Sequence, residues 1–244
     1  MRNYHNQKAG STWLWVFLLL ALPVLSACDD LRCIKGEGDV ERRVLQLQPF
    51  SEVEANGDFR VYLTQGPTQQ VEVMGEPNIL DQLSTQVRNG KWKIEHEDCV
   101  RRSEDVAVYI TIPEVKGVYL NGSGSIYGEN KIVAADLPVE VNGSGRVMME
   151  VEASKVILRM TGSGDAQLSG ATDMQSINMS GSCTAAMFGL LAKDVGVRIT
   201  GSGTAEVSAS STLTVNITGS GKVYYTGNPT VNASVSGSGK VVQK

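Results

Sequence analysis

Apolar and polar residues alternate with a period of two around a short phrase that recurs through the second half of the chain. In its first copy Val118, Leu120, Gly122, Gly124 and Ile126 share one parity, and Tyr119, Asn121, Ser123 and Ser125 share the other. The second copy repeats the pattern with Val139, Val141, Gly143, Gly145 and Val147. The fourth does so with Ile177, Met179, Gly181, Cys183 and Ala185, and the seventh with Val231, Val235, Gly237, Gly239 and Val241. Period two predicts strands, because successive side chains of a strand point to opposite faces. No copy slips, although a slip of one residue would turn the whole apolar set outward. The period near 3.6 that a helical solenoid needs is absent.

The phrase is Gly-Ser-Gly, with Cys183 in place of the second glycine in one copy, and it occurs seven times. From first glycine to first glycine the steps are 21, 19, 19, 20, 18 and 18 residues. A repeat of this length marks a stacked architecture. Combined with the strand alternation, it predicts an all-β parallel β-helix of about 20-residue coils, neighbouring coils pairing at roughly 4.8 Å. The glycines on the inward parity have two readings: a corner with positive φ, or an opposing wall too close for a Cβ. Cys183 favours close approach at the second position. Before each first glycine stands Asn, Thr or Ser. The middle serines, Ser123, Ser144, Ser163, Ser182, Ser202, Ser220 and Ser238, form a second outward row. Stacking predicts two hydrogen-bonding ladders. The serine row is read as structural, with sugar or ion binding as the functional alternative.

The first 27 residues stand apart. Arg2 and Lys8 precede the apolar run Trp13 to Leu25, the layout of a secretory signal and too short to span a membrane comfortably. Leu25-Ser26-Ala27-Cys28 resembles the bacterial lipobox, which implies cleavage before Cys28 and lipid on that cysteine. Ordinary cleavage after Ala27 is the alternative. Asp29 and Asp30 follow, and in enteric bacteria an aspartate there resembles an inner-membrane retention signal. The expected organisation is a signal peptide over 1–27, a polar tether over 28–40 and one β-helix domain over 41–244. Within it, 41–115 forms irregular, wider coils and 116–244 the seven regular ones. Pro77-Asn78 followed by Ile79 to Leu83 predicts one short helix, and Asn89-Gly90 predicts a tight hairpin turn. Val106 to Ile112 is expected to be the strand leading into the regular coils.

Charge and composition narrow the chemistry. Loss of Arg2 and Lys8 takes the net charge from −4 to −6, and no basic run occurs, so nucleic acid is not an expected partner. Cys33 and Cys99 could pair in an oxidising compartment, while Cys183 has inward parity and reads as a small buried hydrophobe. His96 is the only histidine after the signal and sits among Glu95, Glu97 and Asp98, as in a solvated acidic loop. No catalytic residue, cofactor or metal is assigned. A polysaccharide lyase or hydrolase of β-helix type is the enzymatic rival. Outward rows in register set Arg146 beside Asp165 and Glu140 beside Arg159, which joins opposite charges rather than the two carboxylates acid–base chemistry needs. Tyr119, Tyr127 and Tyr224 are outward, but Tyr127 and Tyr224 fall about five coils apart, too scattered for a sugar platform.

Three features together carry a family resemblance: F-S-E-V-E-A-N-G-D-F-R-V-Y-L-T-Q-G from Phe50, I-L-D-Q-L-S-T-Q-V-R-N-G-K-W-K-I from Ile79, and the serial Gly-Ser-Gly phrases. In these the chain resembles the putative auto-transporter adhesin head-domain family, also called the head GIN domain, over roughly Gly36 to Lys244. Gly57-Asp58-Phe59-Arg60-Val61 departs from the glycine-aliphatic-asparagine wording behind that name. The resemblance implies a right-handed β-helix on a lipoprotein of the cell envelope, at the outer membrane or cell surface. The expected partners are a membrane, through lipid on Cys28, and a glycan or extracellular protein. Weak self-association through the C-terminal coil is expected too. The remaining alternative is a purely structural envelope protein.

Overall fold

The computed structural model describes residues 33–101 and 104–244; the signal peptide and Cys28 lie outside the described residues. The first half runs β1 (Glu41–Leu45), β2 (Glu52–Gly57), β3 (Arg60–Gln65), β4 (Gln70–Gly75), α1 (Pro77–Leu80), β5 (Val87–Arg88), β6 (Lys91–Ile94) and β7 (Ala107–Ile112). Then come β8 (Gly117–Gly122), β9 (Ser125–Gly128), β10 (Ile132–Gly143), β11 (Arg146–Gly162), β12 (Asp165–Gly181) and β13 (Thr184–Gly201). The chain closes with β14 (Thr204–Gly219), β15 (Lys222–Thr226), β16 (Thr230–Gly237) and β17 (Lys240–Gln243). The short helix and the hairpin stand where the sequence places them. Asn89 and Gly90 both take positive φ, 52° and 74°, the combination a two-residue turn needs to match strand twist.

From β8 onward the architecture is a β-solenoid. Consecutive coils pair in parallel, first glycine on first glycine: Gly122 with Gly143, Gly143 with Gly162, Gly162 with Gly181, and so on to Gly219 with Gly237. Inward residues stack in rows along the axis. One row runs Trp92, Val53, Val118, Val139, Leu158, Ile177, Val197 and Val215, each almost wholly buried. Burying an aliphatic side chain of this size contributes about 1.5–3 kcal/mol, so the rows supply the dominant stabilising term. A neighbouring row, Leu137, Val156, Gln175, Val195 and Leu213, contains one polar member. Gln175 is 1% exposed, and its Oε1 has no hydrogen-bond partner.

The two glycines of the phrase do different work. The first bends the coil: Gly122, Gly143, Gly162, Gly181, Gly201, Gly219 and Gly237 all have φ between 109° and 123°. They are not inward, as parity alone predicts, but partly or fully exposed at the corner. The second glycine is the buried one in the internal coils, and there close approach decides. A Cβ on Gly145 would lie 2.6 Å from Leu120 Cδ2 and 2.7 Å from the Gly124 oxygen. Cys183 occupies this position in one coil, buried and unpaired, its Sγ 3.3 Å from the Gly162 oxygen. A second bend interrupts pairing at Ser154, between the Ala153–Thr172 and Lys155–Met174 partners. Inward parity shifts by one there, so Ala153 and Val156 both face the core.

The first half is not a run of coils in chain order, and here the structure corrects the sequence. β7 runs into β8 along the chain, as expected, but it pairs with β3 and β4 rather than stacking on the regular coils. β2 lies between β6 and β8, and β3 between β7 and β9, all in parallel. The β6–β7 coil, later in the chain, is therefore stacked outside the β2–β3 coil. β4 then pairs antiparallel with the outer edge of β7, and β1 antiparallel with β4. Parallel stacking ends there with an exposed strand rich in charge, Glu41, Arg42 and Arg43, which discourages further pairing. Residues 33–40, in the expected tether, are held to this end: Cys33 is disulfide-bonded to Cys99, Ile34 bridges Val100, and the Asn78 amide donates to the Lys35 oxygen at 2.6 Å. At the opposite end β16 and β17 have no covering element among the described residues, and Val231, Val235 and Val242 are about 40% exposed.

Candidate functional site

The serine row lies along the first corner, one residue per coil and every one exposed. A hydroxyl–hydroxyl bond joins Ser220 and Ser238 at 3.0 Å. The more regular link is in the backbone, where the amides of Ser144, Ser163, Ser182, Ser202 and Ser220 donate to the first-glycine oxygen of the preceding coil. Beside it, asparagines form a side-chain ladder. Asn142 Nδ2 donates to Asn121 Oδ1 at 3.0 Å, Asn121 to Asn56 at 2.8 Å, and Asn56 to Glu95 Oε2 at 2.8 Å.

Next to this ladder, charges of both signs are matched. Lys91 reaches Glu52 and Glu54, each at 3.4 Å, and Lys93 reaches Glu54 and Glu95, each at 3.7 Å. Lys91 Nζ also sits 3.6 Å over the Tyr119 ring. Burial, reinforced by Glu52, pushes the Tyr119 phenol up to about 12. Further along, Arg146 pairs with Asp165 at 3.0 Å and Arg159 with Glu140 at 2.9 Å, as register predicts. These carboxylates are occupied by cations, an arrangement suited to holding a surface rather than moving protons. Among the described residues no group of three or more His, Cys, Asp or Glu side chains is placed to hold a metal.

His96 is not in a solvated loop. Its ring lies 4.8 Å from that of Phe59, its Nδ1 is buried without a partner, and burial lowers its pKa, opposed by Asp58. The cause is the coil order, which stacks the end of β6 beneath the Phe59 corner.

That same order assembles a surface missed by reading tyrosines one coil after another. Tyr109, Tyr62 and Tyr127 occupy adjacent register positions on β7, β3 and β9. Tyr62 stacks on Tyr109 at 4.8 Å between centroids, with ring planes 11° apart, and on Tyr127 at 5.6 Å and 25°. The Arg42 guanidinium covers the Tyr109 end at 5.3 Å. Aromatic side chains on the outer face are therefore not all scattered: three of them form one row, while Tyr119 and Tyr224 lie apart from it. A textual trace exists in Val61-Tyr62-Leu63, Val108-Tyr109-Ile110 and Ile126-Tyr127-Gly128. Each sets a tyrosine outward between inward positions, but the 47- and 18-residue gaps between these tyrosines hide their adjacency.

Beyond Tyr127 the row continues with Met148 and Gln167. Here a cleft of about 550 Å³ opens, lined by Arg60, Tyr127, Glu129, Met148, Glu150 and Gln167 among others. A larger groove of about 830 Å³ follows the second bend across β10 to β15, its floor formed by Ala134, Ala153, Thr172, Ala192 and Ala209. Six strands at roughly 4.8 Å spacing make it about 24 Å long. Leu191, 64% exposed, lies along its side.

The coil geometry and the phrase that builds it have a counterpart in known proteins. A family model described as "Putative auto-transporter adhesin, head GIN domain" matches residues 49–229. The chain belongs to this family. Comparison with curated proteins returns no match. Among solved structures, a putative adhesin from Bacteroides fragilis superposes with a TM-score of 0.82 at 22% identity, covering 86% of this chain and 100% of that one. A putative adhesin from Parabacteroides merdae gives 0.74 at 19% identity, covering 86% and 98%. A putative lipid binding protein from Parabacteroides distasonis gives 0.71 at 22%, covering 87% and 100%. At such identities the likeness speaks for the fold. It confirms the β-solenoid, and the family model confirms the head GIN resemblance of the sequence.

Proposed function

We propose that this head GIN protein is a non-enzymatic, adhesin-like binding module held at the cell envelope by lipid on Cys28. The observation that carries the reading is the Tyr109–Tyr62–Tyr127 row with an open cleft at its end. A solenoid binds along its exposed faces, and a half-exposed aromatic row beside a cleft is the kind of surface that serves recognition. The Cys33–Cys99 disulfide supports an oxidising location, since such bonds are rare in the cytosol. The lipobox supports the anchor. No helix among the described residues is long and apolar enough to cross a membrane.

Two experiments test the proposal. Membrane fractionation of wild type and Cys28→Ala is expected to move the protein from the membrane to the soluble fraction; equal partition of both removes the anchor. Binding of the full chain to arrays of glycans and matrix proteins is expected to find a ligand, and silence on every array favours a purely structural envelope role. The apolar groove favours a second reading, in which the module holds an acyl chain, and a relative of the same fold is named a putative lipid binding protein. Extraction of the purified protein followed by mass spectrometry tests it. Bound lipid beyond the anchor is expected on this reading, and its absence, with no uptake of a fluorescent fatty acid, removes it.

A further inference from the structure

The tyrosine row is asymmetric. Stacked rings use up each other's faces, so Tyr62 presents only its edge and hydroxyl, and the outer face of Tyr109 is taken by Arg42. Tyr127 is different. One face lies on Tyr62, and the position next in the row is filled by Met148 rather than by another ring. The cleft begins at this point, with Tyr127 and Met148 both in its wall. Gly128 follows directly, and a Cβ there would come within 3.1 Å of Met149 Cγ.

Besides Met148 and Met149, the lining around the Tyr127 ring is polar and of mixed sign. Arg60 enters from the β3 side, Glu129 from the loop after β9, and Glu150 and Gln167 from the next two coils. Arg60 is engaged by Asp105, and Glu150 by Lys131 at 3.5 Å. The Gln167 amide, the Glu129 carboxylate and the tyrosine hydroxyls carry no intramolecular hydrogen bond or ion pair among the described residues. Planar donors and acceptors around one aromatic face match a molecule with an apolar ring face and hydrogen-bonding groups on its rim. A neutral sugar has that form: the C–H groups of a pyranose face lie on the ring, and its hydroxyls fan outward. An acyl chain would leave these polar groups desolvated without partners. A strongly charged glycan would meet a carboxylate or a guanidinium whatever its sign. The cleft volume falls within the range of small-molecule sites.

We propose that the cleft beside Tyr127 is a carbohydrate subsite, in which one pyranose of a neutral glycan packs against the part of the Tyr127 ring that lines the cleft and is hydrogen-bonded by Gln167, Glu129 and Arg60. This rests on the binding-module reading above and names the ligand class for it.

The test uses the full chain purified in detergent, probed with immobilised neutral oligosaccharides of glucose, xylose and N-acetylglucosamine and, in parallel, with matrix proteins. Wild type is expected to be retained on at least one neutral oligosaccharide. Tyr127→Ala should weaken that retention by about tenfold or more, the scale of one lost stacking contact. Tyr127→Phe, which keeps the ring, should hold most of it, and Tyr224→Ala, on a distant coil, all of it. A second readout needs no variant: with ring-labelled tyrosine in the wild-type protein, titration of the retained oligosaccharide should shift the Tyr127 ring resonances and leave those of Tyr224 unmoved. Retention without loss in a folded Tyr127→Ala protein, or shifts confined to other tyrosines, overturns the subsite but leaves the binding module. Retention on matrix proteins alone overturns the carbohydrate class. Silence on both probes overturns the subsite together with the function it rests on.

Discussion

Arg159 Nη1 donates to Glu140 Oε1 at 2.9 Å across the step from β10 to β11, although the residues are 19 apart in the chain. The bond follows from the coil length: a repeat of 19 residues puts each side chain beside its equivalent in the next coil. Both partners are substantially exposed. A double-mutant cycle with Arg159→Ala and Glu140→Ala, read by urea denaturation, should give a coupling energy below about 1 kcal/mol that shrinks further in salt. Coupling of several kcal/mol would mean that solvent screens this face far less than its exposure implies.

The division of labour between the two glycines is measurable. Gly201 sits at φ 117°, and a Cβ there would meet the Gly181 oxygen at 2.6 Å. Gly203 has no positive φ, and its nearest atoms, the Cys183 oxygen and Met179 Cε, both lie at 3.0 Å. Gly201→Ala should cost about 2 kcal/mol or more, through strained backbone and displaced coils. Gly203→Ala should cost clearly less, because the flexible Met179 end can yield and the preceding coil already tolerates a cysteine. Chemical denaturation of both variants ranks them; equal costs would refute separate roles.

Burial of His96 gives the fold a pH dependence. Its pKa is lowered in the folded state from the ordinary value of 6.5, so below that value the unfolded chain binds a proton the folded one resists. Stability is therefore complete above pH 6.5 and declines as pH falls through the folded pKa. His96→Phe keeps a ring against Phe59 and removes the proton. Melting temperatures between pH 7.5 and 5 should fall less steeply for His96→Phe than for wild type, and parallel profiles would exclude His96 as the cause.

The C-terminal edge carries a guard. Lys240 stands in register with Lys222, and Lys244 Nζ lies 4.5 Å over the Tyr224 ring, at the end of the solenoid where Val231, Val235 and Val242 are half-exposed. An edge with open backbone groups invites pairing, and repeated lysines oppose it by like charge. Wild type should be monomeric or weakly dimeric, and Lys240→Val with Lys244→Val should associate. Sedimentation at several concentrations reads this; an unchanged mass means the lysines guard nothing.

Much of this molecule was legible as text because a solenoid is a local code. A coil meets only its neighbours, so alternation, the Gly-Ser-Gly spacing and the steps between phrases suffice to place Arg146 on Asp165 and Arg159 on Glu140. Parity likewise assigned Val118, Val139 and Ile177 to the core. It failed at the corners, where backbone geometry replaces side-chain alternation, and so placed the first glycines inward. The first half escaped for a different reason. Nothing local distinguishes a β7 that stacks on the regular coils from one that folds back outside β3, because its inward Val108 and Ile110 satisfy either stack equally well. Only the pairing of the whole sheet decides between them. That decision moved His96 under Phe59 and gathered Tyr109, Tyr62 and Tyr127 into a single row. The sequence alone determined the repeating body of the solenoid, through periodic burial; the tertiary structure decided its closed end and, with it, the candidate binding surface.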